Sequence, residues 1–196
     1  MEKFKINELF YSLQGEGFYA GTPAIFIRFA GCNLHCPFCD TDHQAGEMMT
    51  TTEIRQRMQA FPTRHVVLTG GEPSLFITAD FIEQLHQDQY YIAIETNGTQ
   101  VLPSTLDWVT FSPKDHMGIP GATPVIQRFD ELKRVYRSEE DPAPYLHFPA
   151  QHYYLQPCDY GDSKRNQQNQ QATVAYCLAH PQWKLSLQIH KLLDIR

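Results

Sequence analysis

The chain has 196 residues and a formal net charge of −6, long enough for one domain with a substantial buried core. That acidic balance argues against a general nucleic-acid binder, whose surface is normally basic. No apolar run approaches the roughly 20 residues that cross a membrane, and the first eight residues lack the apolar segment of a signal peptide, so a cytoplasmic location is expected.

Short apolar runs alternate with amphipathic stretches, the pattern of an α/β fold. Pro23–Ala30 is almost continuously apolar and is predicted to be a strand buried on both faces. Thr51–Phe61 reads as a helix with a threonine cap, placing Ile54, Met58 and Phe61 on one face. A strand over Arg64–Thr69, a helix over Thr78–Gln87 and a strand over Tyr90–Glu95 come next. Trp108–Phe111, Leu132–Tyr136 and Tyr153–Leu155 are further predicted strands, Gln167–Ala179 a helix and Trp183–Ile189 a last strand. Residues 115–130 and 138–151 are rich in Pro, Gly and polar side chains and are expected to be loops.

Polar or glycine-rich segments repeatedly follow the strands, and in α/β sheets and barrels that edge assembles the site. The expected fold is one parallel sheet in a single domain over residues 1–196. A complete eight-fold barrel typically takes roughly 250 residues, so a partial, open β/α barrel fits this length better.

The most informative segment is Gly31-Cys-Asn-Leu-His-Cys-Pro-Phe-Cys-Asp-Thr41. Cys32, Cys36 and Cys39 in the spacing Cys-x3-Cys-x2-Cys offer a metal three thiolates and leave a fourth position open. An iron–sulfur cluster held this way has one iron without a protein ligand, available to a small molecule. A structural zinc site is the alternative; it needs a fourth ligand, for which His35, His43, Cys158 or Cys177 could serve. Five cysteines, three of them clustered, point to ligation in a reducing compartment and away from a disulfide framework.

The cysteine loop after the first predicted strand, with Gly70-Gly-Glu-Pro73 after the next, resembles the radical S-adenosylmethionine superfamily. Tyr11-Ser-Leu-Gln-Gly-Glu-Gly17, Arg28-Phe-Ala-Gly-Cys32, Cys39-Asp-Thr-Asp42, Ser112-Pro-Lys114, Gln156-Pro-Cys-Asp159 and Gln188-Ile-His-Lys191 narrow it. Together they resemble the 7-carboxy-7-deazaguanine synthase family, in order and across nearly the whole chain. The resemblance implies a barrel of the radical S-adenosylmethionine type. It also implies a carbon–nitrogen lyase that converts 6-carboxy-5,6,7,8-tetrahydropterin to 7-carboxy-7-deazaguanine with loss of ammonia, on the route to queuosine-type nucleosides. The implied cofactors are a [4Fe–4S] cluster, S-adenosylmethionine and Mg²⁺; a homodimer and an electron donor such as flavodoxin are the implied partners.

By that resemblance Cys32, Cys36 and Cys39 hold the cluster and Thr41 offers its oxygen to Mg²⁺, a hard cation that prefers oxygen ligands. Phe38, Asp40, Gly71, Ser112, Pro113, Lys114, Gln156, Pro157, Cys158 and Asp159 contact S-adenosylmethionine. Gly70 and Gly71 lack side chains, so backbone there can approach the cofactor's amino group, and Glu72 can accept hydrogen bonds from it. The pterin lies against Leu13, Gln14 and Gly15, with Arg28 on its carboxylate, Thr69 adding a hydroxyl contact and the terminal carboxylate of Arg196 as an anchor.

Read without the family, several of these residues have plainer explanations. Gly15 and Gly17 are then turn glycines, Thr41 a cap or turn residue, Ser112-Pro-Lys114 a strand-ending turn, and Cys158 and Cys177 structural thiols. Arg28 in an apolar strand is different, because a buried guanidinium needs a partner. His190 stands beside Lys191 near the tail and is equally a packing residue. Two other functions remain in view. A glycyl-radical-enzyme activating enzyme would share the cluster but need an open groove for a peptide, and a zinc- or cluster-bearing binding module would catalyse nothing.

Overall fold

The computed structural model of the chain describes residues 2–39 and 45–196. One nine-stranded sheet runs through it: β1 (Lys3–Leu13), β2 (Pro23–Phe29), β3 (Glu47–Thr50), β4 (His65–Gly70), β5 (Tyr91–Thr96), β6 (Trp108–Phe111), β7 (Glu131–Tyr136), β8 (His152–Pro157) and β9 (Lys184–Leu185). The helices are α1 (Thr51–Met58), α2 (Ala79–Gln87), α3 (Ser163–Ala179) and α4 (Ile189–Leu193). The spatial order is β3-β1-β2-β4-β5-β6-β7-β8-β9, an open sheet with β3 and β9 at its edges.

From β2 to β9 every pairing is parallel, as expected from the alternation of strands and helices. The expectation of a wholly parallel sheet is corrected at the other edge, where β1 pairs antiparallel with both β2 and β3. Neither β1 nor β3 is among the elements predicted from the sequence. In β1 the alternation is plain at the start: Phe4 and Ile6 are buried while Lys3 and Lys5 face solvent.

The helices close where capping residues stand. Thr50 accepts from the Glu53 amide, and the Glu53 carboxylate accepts from the Thr50 amide, a capping box at the start of α1. Thr78 caps α2. The first helix ends at Met58, and Phe61 packs onto the core from the turn beyond it. α3 begins four residues earlier than expected, because Asp162 accepts from the Arg165 amide and starts the helix there. The predicted last strand over Trp183–Ile189 is corrected: two residues form β9, Ser186 donates once more to Leu155, and the chain then turns into α4. The turn is fixed by the Ile189 amide, which donates to the Gly15 carbonyl (3.0 Å) and ties this segment to the β1–β2 connection. Residues 115–130 and 138–151 are loops as expected, each with one short 3₁₀ segment, Asp115–Met117 and Ala143–His147.

The main core lies between the sheet and its helices, with Ile25, Ile27, Leu68, Ile92, Ile94, Ile54, Met58, Phe81, Ile82 and Leu85 fully buried. Each such side chain contributes about 1.5–3 kcal/mol by leaving water. On the inner face, Phe10, Ala24, Phe26, Val67, Ala93 and Trp108 form a second cluster at the amino ends of the strands. The two-residue period of a strand fixes the next residue on that face of each one. Beyond Phe26 comes Arg28, beyond Val67 Thr69, beyond Ala93 Glu95, and Lys133 and Gln156 stand on the inner faces of β7 and β8. The interior therefore changes from apolar to polar towards the carboxyl ends.

Candidate active site

Register places the two glycine-bearing loops side by side. Phe29 is opposite Gly70, Gly71 donates to the Phe29 carbonyl (3.1 Å), and Glu72 donates to the Gly31 carbonyl (2.9 Å). A Cβ on Gly71 would lie 2.0 Å from the Gly31 oxygen and 3.0 Å from Cys32 Cβ. The absence of a side chain there is thus already required by backbone packing under the cysteine loop, a reason beyond the ligand approach expected for it. Glu72, which lines the recess expected to hold the cofactor, has protein partners as well. It is buried, one oxygen accepts from Thr96 Oγ1 (2.7 Å) and the Ser74 amide (3.0 Å), and the other accepts from the Asn97 amide (2.7 Å). Its hydrogen bonds bind the loop to the end of β5.

Two cavities open at this edge. The first, about 240 Å³, is lined by Cys32, Cys36, Phe38, Cys39, Gly71, Ser112, Lys114, Gln156, Pro157, Cys158 and Asp159. Of the residues expected around the cluster and S-adenosylmethionine, Pro113 is buried and lines neither cavity. Asp40, expected at the adenosyl group, and Thr41, expected at Mg²⁺, lie outside the described residues. The second cavity, about 610 Å³, is lined by Leu13, Gln14, Gly15, Arg28, Thr69 and Arg196, the whole expected substrate set, together with Glu8 and His190. The cavities share a wall made of Glu16, Thr69, Gly70, Glu95, Gln188 and Lys191.

All five cysteines are free thiols. Burial raises Cys32 and Cys36, and the neighbouring thiols add to this; Lys114 works in the opposite direction at Cys36. Among the described residues, no three His, Cys, Asp or Glu side chains are drawn together tightly enough to hold a metal ion. The donor chemistry nonetheless fits an iron–sulfur cluster, since three free thiols line one cavity wall beside a polar recess. Lys114 reaches Ser112 through its carbonyl (2.7 Å) and Oγ (2.6 Å), and burial holds its ammonium below the usual lysine range.

The shared wall is charged. Lys133 Nζ, almost fully buried, donates to Glu16 Oε2 at 2.7 Å and Glu95 Oε2 at 2.8 Å. Burial alone would lower the lysine; its two carboxylate partners outweigh that and keep it charged well above its ordinary range. Glu16 is raised by burial but lowered further by Lys133 and by Gln188, ending at about 2. Glu95 is pushed up by burial, and the charge of Glu16 adds to this. The asymmetry has a cause: Glu16 Oε1 also accepts from Gln156 (3.0 Å) and Gln188 (3.1 Å), whereas the other oxygen of Glu95 accepts from Gln14 at 3.2 Å.

In the second cavity, Arg28 Nε stands 3.6 Å from Glu8 Oε2, supplying the carboxylate partner its position called for. Glu8 Oε1 pairs with Arg196 Nη1 at 2.7 Å, and Ser12 Oγ donates to the Arg196 main-chain oxygen. β1 therefore holds the tail at the rim. Sequence reasoning does not single out Glu8, Glu95 or Lys133. A charged residue inside an otherwise buried strand, as Lys133 is in β7, was the available signal.

A model of the radical S-adenosylmethionine superfamily matches residues 26–125. The chain is 52% identical over 192 residues to the 7-carboxy-7-deazaguanine synthase of Bacteroides thetaiotaomicron, covering 98% of each. This chain belongs to the 7-carboxy-7-deazaguanine synthase family. The Bordetella pertussis synthase is 38% identical, with 98% of this chain and 99% of that protein covered. The crystal structure of QueE from Escherichia coli superposes with a TM-score of 0.79 at 28% identity, covering 96% of this chain and 95% of that one. The family membership agrees with the partial, open barrel, parallel from β2 to β9, and with the cysteine loop's place at the end of β2.

Proposed function

We propose that the chain is a radical S-adenosylmethionine lyase that converts 6-carboxy-5,6,7,8-tetrahydropterin to 7-carboxy-7-deazaguanine with release of ammonia, for queuosine or related 7-deazapurine synthesis. The observation that supports this reading is the common wall of the two cavities: the cavity lined by Arg28 adjoins the cysteine-lined recess, as a small anionic substrate beside the cofactor would require.

Cys32, Cys36 and Cys39 would hold the [4Fe–4S] cluster, and Phe38, Gly71, Ser112, Lys114 and Gln156–Asp159 would hold S-adenosylmethionine in the first cavity. When bound and reduced, that pair supplies a carbon-centred radical able to abstract hydrogen, chemistry that belongs to the cofactor. The chain's own work is binding and exclusion of water. Arg28 receives the substrate carboxylate, the terminal carboxylate of Arg196 anchors the substrate as an acceptor, Leu13, Gln14 and Gly15 face the pterin, and Thr69 adds a hydroxyl. Asp40 completes the adenosyl contacts, Pro113 shapes the Ser112–Lys114 turn, and Thr41 binds Mg²⁺, which the substrate carboxylate shares.

Residues 1–196 act as one catalytic domain, as a homodimer in the cytoplasm, reduced by a donor such as flavodoxin. No helix among the described residues is long and apolar enough to cross a membrane. The test is anaerobic reconstitution with iron and sulfide, then incubation with reductant, S-adenosylmethionine, Mg²⁺ and the pterin. The expected result is cofactor-dependent 7-carboxy-7-deazaguanine by mass. Formation of 5′-deoxyadenosine without that product would discard the substrate, and one zinc per chain with no iron would discard the enzyme.

A further inference from the structure

The β1–β2 connection carries Glu16 into the wall between the cavities, and what fixes it there is a closed ring of hydrogen bonds. The Gly17 amide donates to Ser186 Oγ at 3.0 Å, and Ser186 Oγ donates to Gln156 Oε1 at 2.9 Å. Gln156 Nε2 donates to Glu16 Oε1 at 3.0 Å, and the Glu16–Gly17 peptide closes the ring. Every link runs in the same direction, so each polar group strengthens the next. The ring also decides how the Gln156 amide is turned, with its oxygen towards Ser186 and its nitrogen towards Glu16.

Ser186 is suited to this place because it is itself immobile. It is buried, and its amide donates to the Leu155 carbonyl (2.9 Å) at the end of β9. The opposite side of the connection is closed by Glu131, whose Oε2 accepts from the Phe18 amide at 3.0 Å. Gly17 has φ +65°, and a Cβ on it would lie 2.0 Å from Glu131 Oε1. The connection is therefore pressed between Glu131 and Ser186, and Ser186 is the member that reaches both a cofactor-cavity residue and the Glu16 segment.

We infer that Ser186 is a positioning residue: through Gln156 and the Gly17 amide it sets the wall shared by the two cavities and so the fit of the pterin. Ser186 itself lines neither cavity. The affinity arm of the test rests on the function proposed above; the exchange arm does not.

The experiment compares the reconstituted wild-type protein with Ser186→Ala and Ser186→Thr. Amide hydrogen exchange is followed for peptides spanning residues 14–20 and for α2 as a remote control. Binding of 6-carboxypterin, an unreactive analogue, is measured by calorimetry. In Ser186→Ala, exchange at 14–20 should rise about tenfold and the analogue should bind about tenfold more weakly, the scale of one lost buried hydrogen bond. Exchange in α2 should stay unchanged, and Ser186→Thr should restore both properties by returning the hydroxyl. Unchanged exchange at 14–20 in Ser186→Ala, or equal acceleration in α2, would overturn the assignment. A wild-type protein that ignores the analogue would refute the pterin reading and leave the exchange result to decide the ring.

Discussion

Lys133 and Glu16 meet 2.7 Å apart in the wall between the two cavities, and Glu95 stands at 2.8 Å from the same ammonium. One buried cation thus holds two carboxylates that would otherwise repel each other inside the barrel. Breaking such a group by removing one partner costs about 3–5 kcal/mol, because the charges left behind are unpaired. Lys133→Met should lower stability to urea by that order.

The same variant has a signature in pH. In the wild type, Glu16 is depressed to about 2, so its contribution is present above the ordinary carboxylate pKa and is lost as pH falls towards 2. Without Lys133, burial is left to raise both carboxyls, and a raised carboxyl costs stability as pH rises through it. Unfolding at pH 5 and pH 8 should therefore show a smaller penalty for Lys133→Met at the lower pH. A penalty equal at both values would mean that the lysine acts by packing alone.

Glu131 shifts in the other direction. Burial pushes its carboxyl up to about 7, with Glu95 and Glu16 adding to the shift while Lys133 and the Phe18 amide oppose it. A carboxyl raised from 4.5 to about 7 favours the folded state when protonated, and that advantage is lost as pH rises between those values. Glu131→Gln keeps an oxygen for the Phe18 amide and removes the titration. Relative to wild type, it should gain about 2–3 kcal/mol between pH 5 and pH 8 in urea unfolding. A stability difference that does not move with pH would refute the assignment.

The parallel half of the sheet was legible because β2, β4, β5 and β6 are short, strongly apolar and followed by polar turns. β1 escaped notice because its alternation is broken by Asn7 and Glu8, where a bulge shifts the register with β2. The retreat of the final strand into α4 depends on the Ile189–Gly15 bond, a contact between segments far apart in sequence. The same distinction holds in the site. Cys32, Arg28 and Gln156 could be picked out by type and local motif. The pairing of Lys133 with Glu16 and Glu95 depends on strands being brought together, and no spacing in the chain announces it.

Arg28 offers a selective probe of the two cavities, because it lines the second and not the first. Arg28→Ala removes a charge-assisted contact to an anionic ligand and leaves Glu8, still paired with Arg196, less well neutralised beside that ligand. KM for the pterin should rise about 10- to 100-fold, the scale of a lost charged hydrogen bond, while S-adenosylmethionine affinity stays within about twofold. Isothermal titration of the cofactor alongside steady-state kinetics separates the two. Equal weakening of both ligands would show that Arg28 supports the common wall instead.

Gly71 links packing directly to the cysteine loop. Its missing side chain lets β4's exit lie against Gly31, with a Cβ there meeting the Gly31 oxygen at 2.0 Å and Cys32 Cβ at 3.0 Å. The obstacle is backbone, so Gly71→Ala must push the two loops apart. Overpacking of this kind costs about 1–3 kcal/mol, and the displacement falls on Cys32 first. The variant should fold, retain all three cysteines, and yet take up less iron on anaerobic reconstitution, with a weaker visible absorption per chain. Gly31 and the Phe29 carbonyl then become the groups that must move, so exchange at the Gly71 amide should accelerate in step with iron loss. Full iron content in Gly71→Ala would mean that the loop adjusts without disturbing Cys32, and that the close approach serves β2–β4 packing alone.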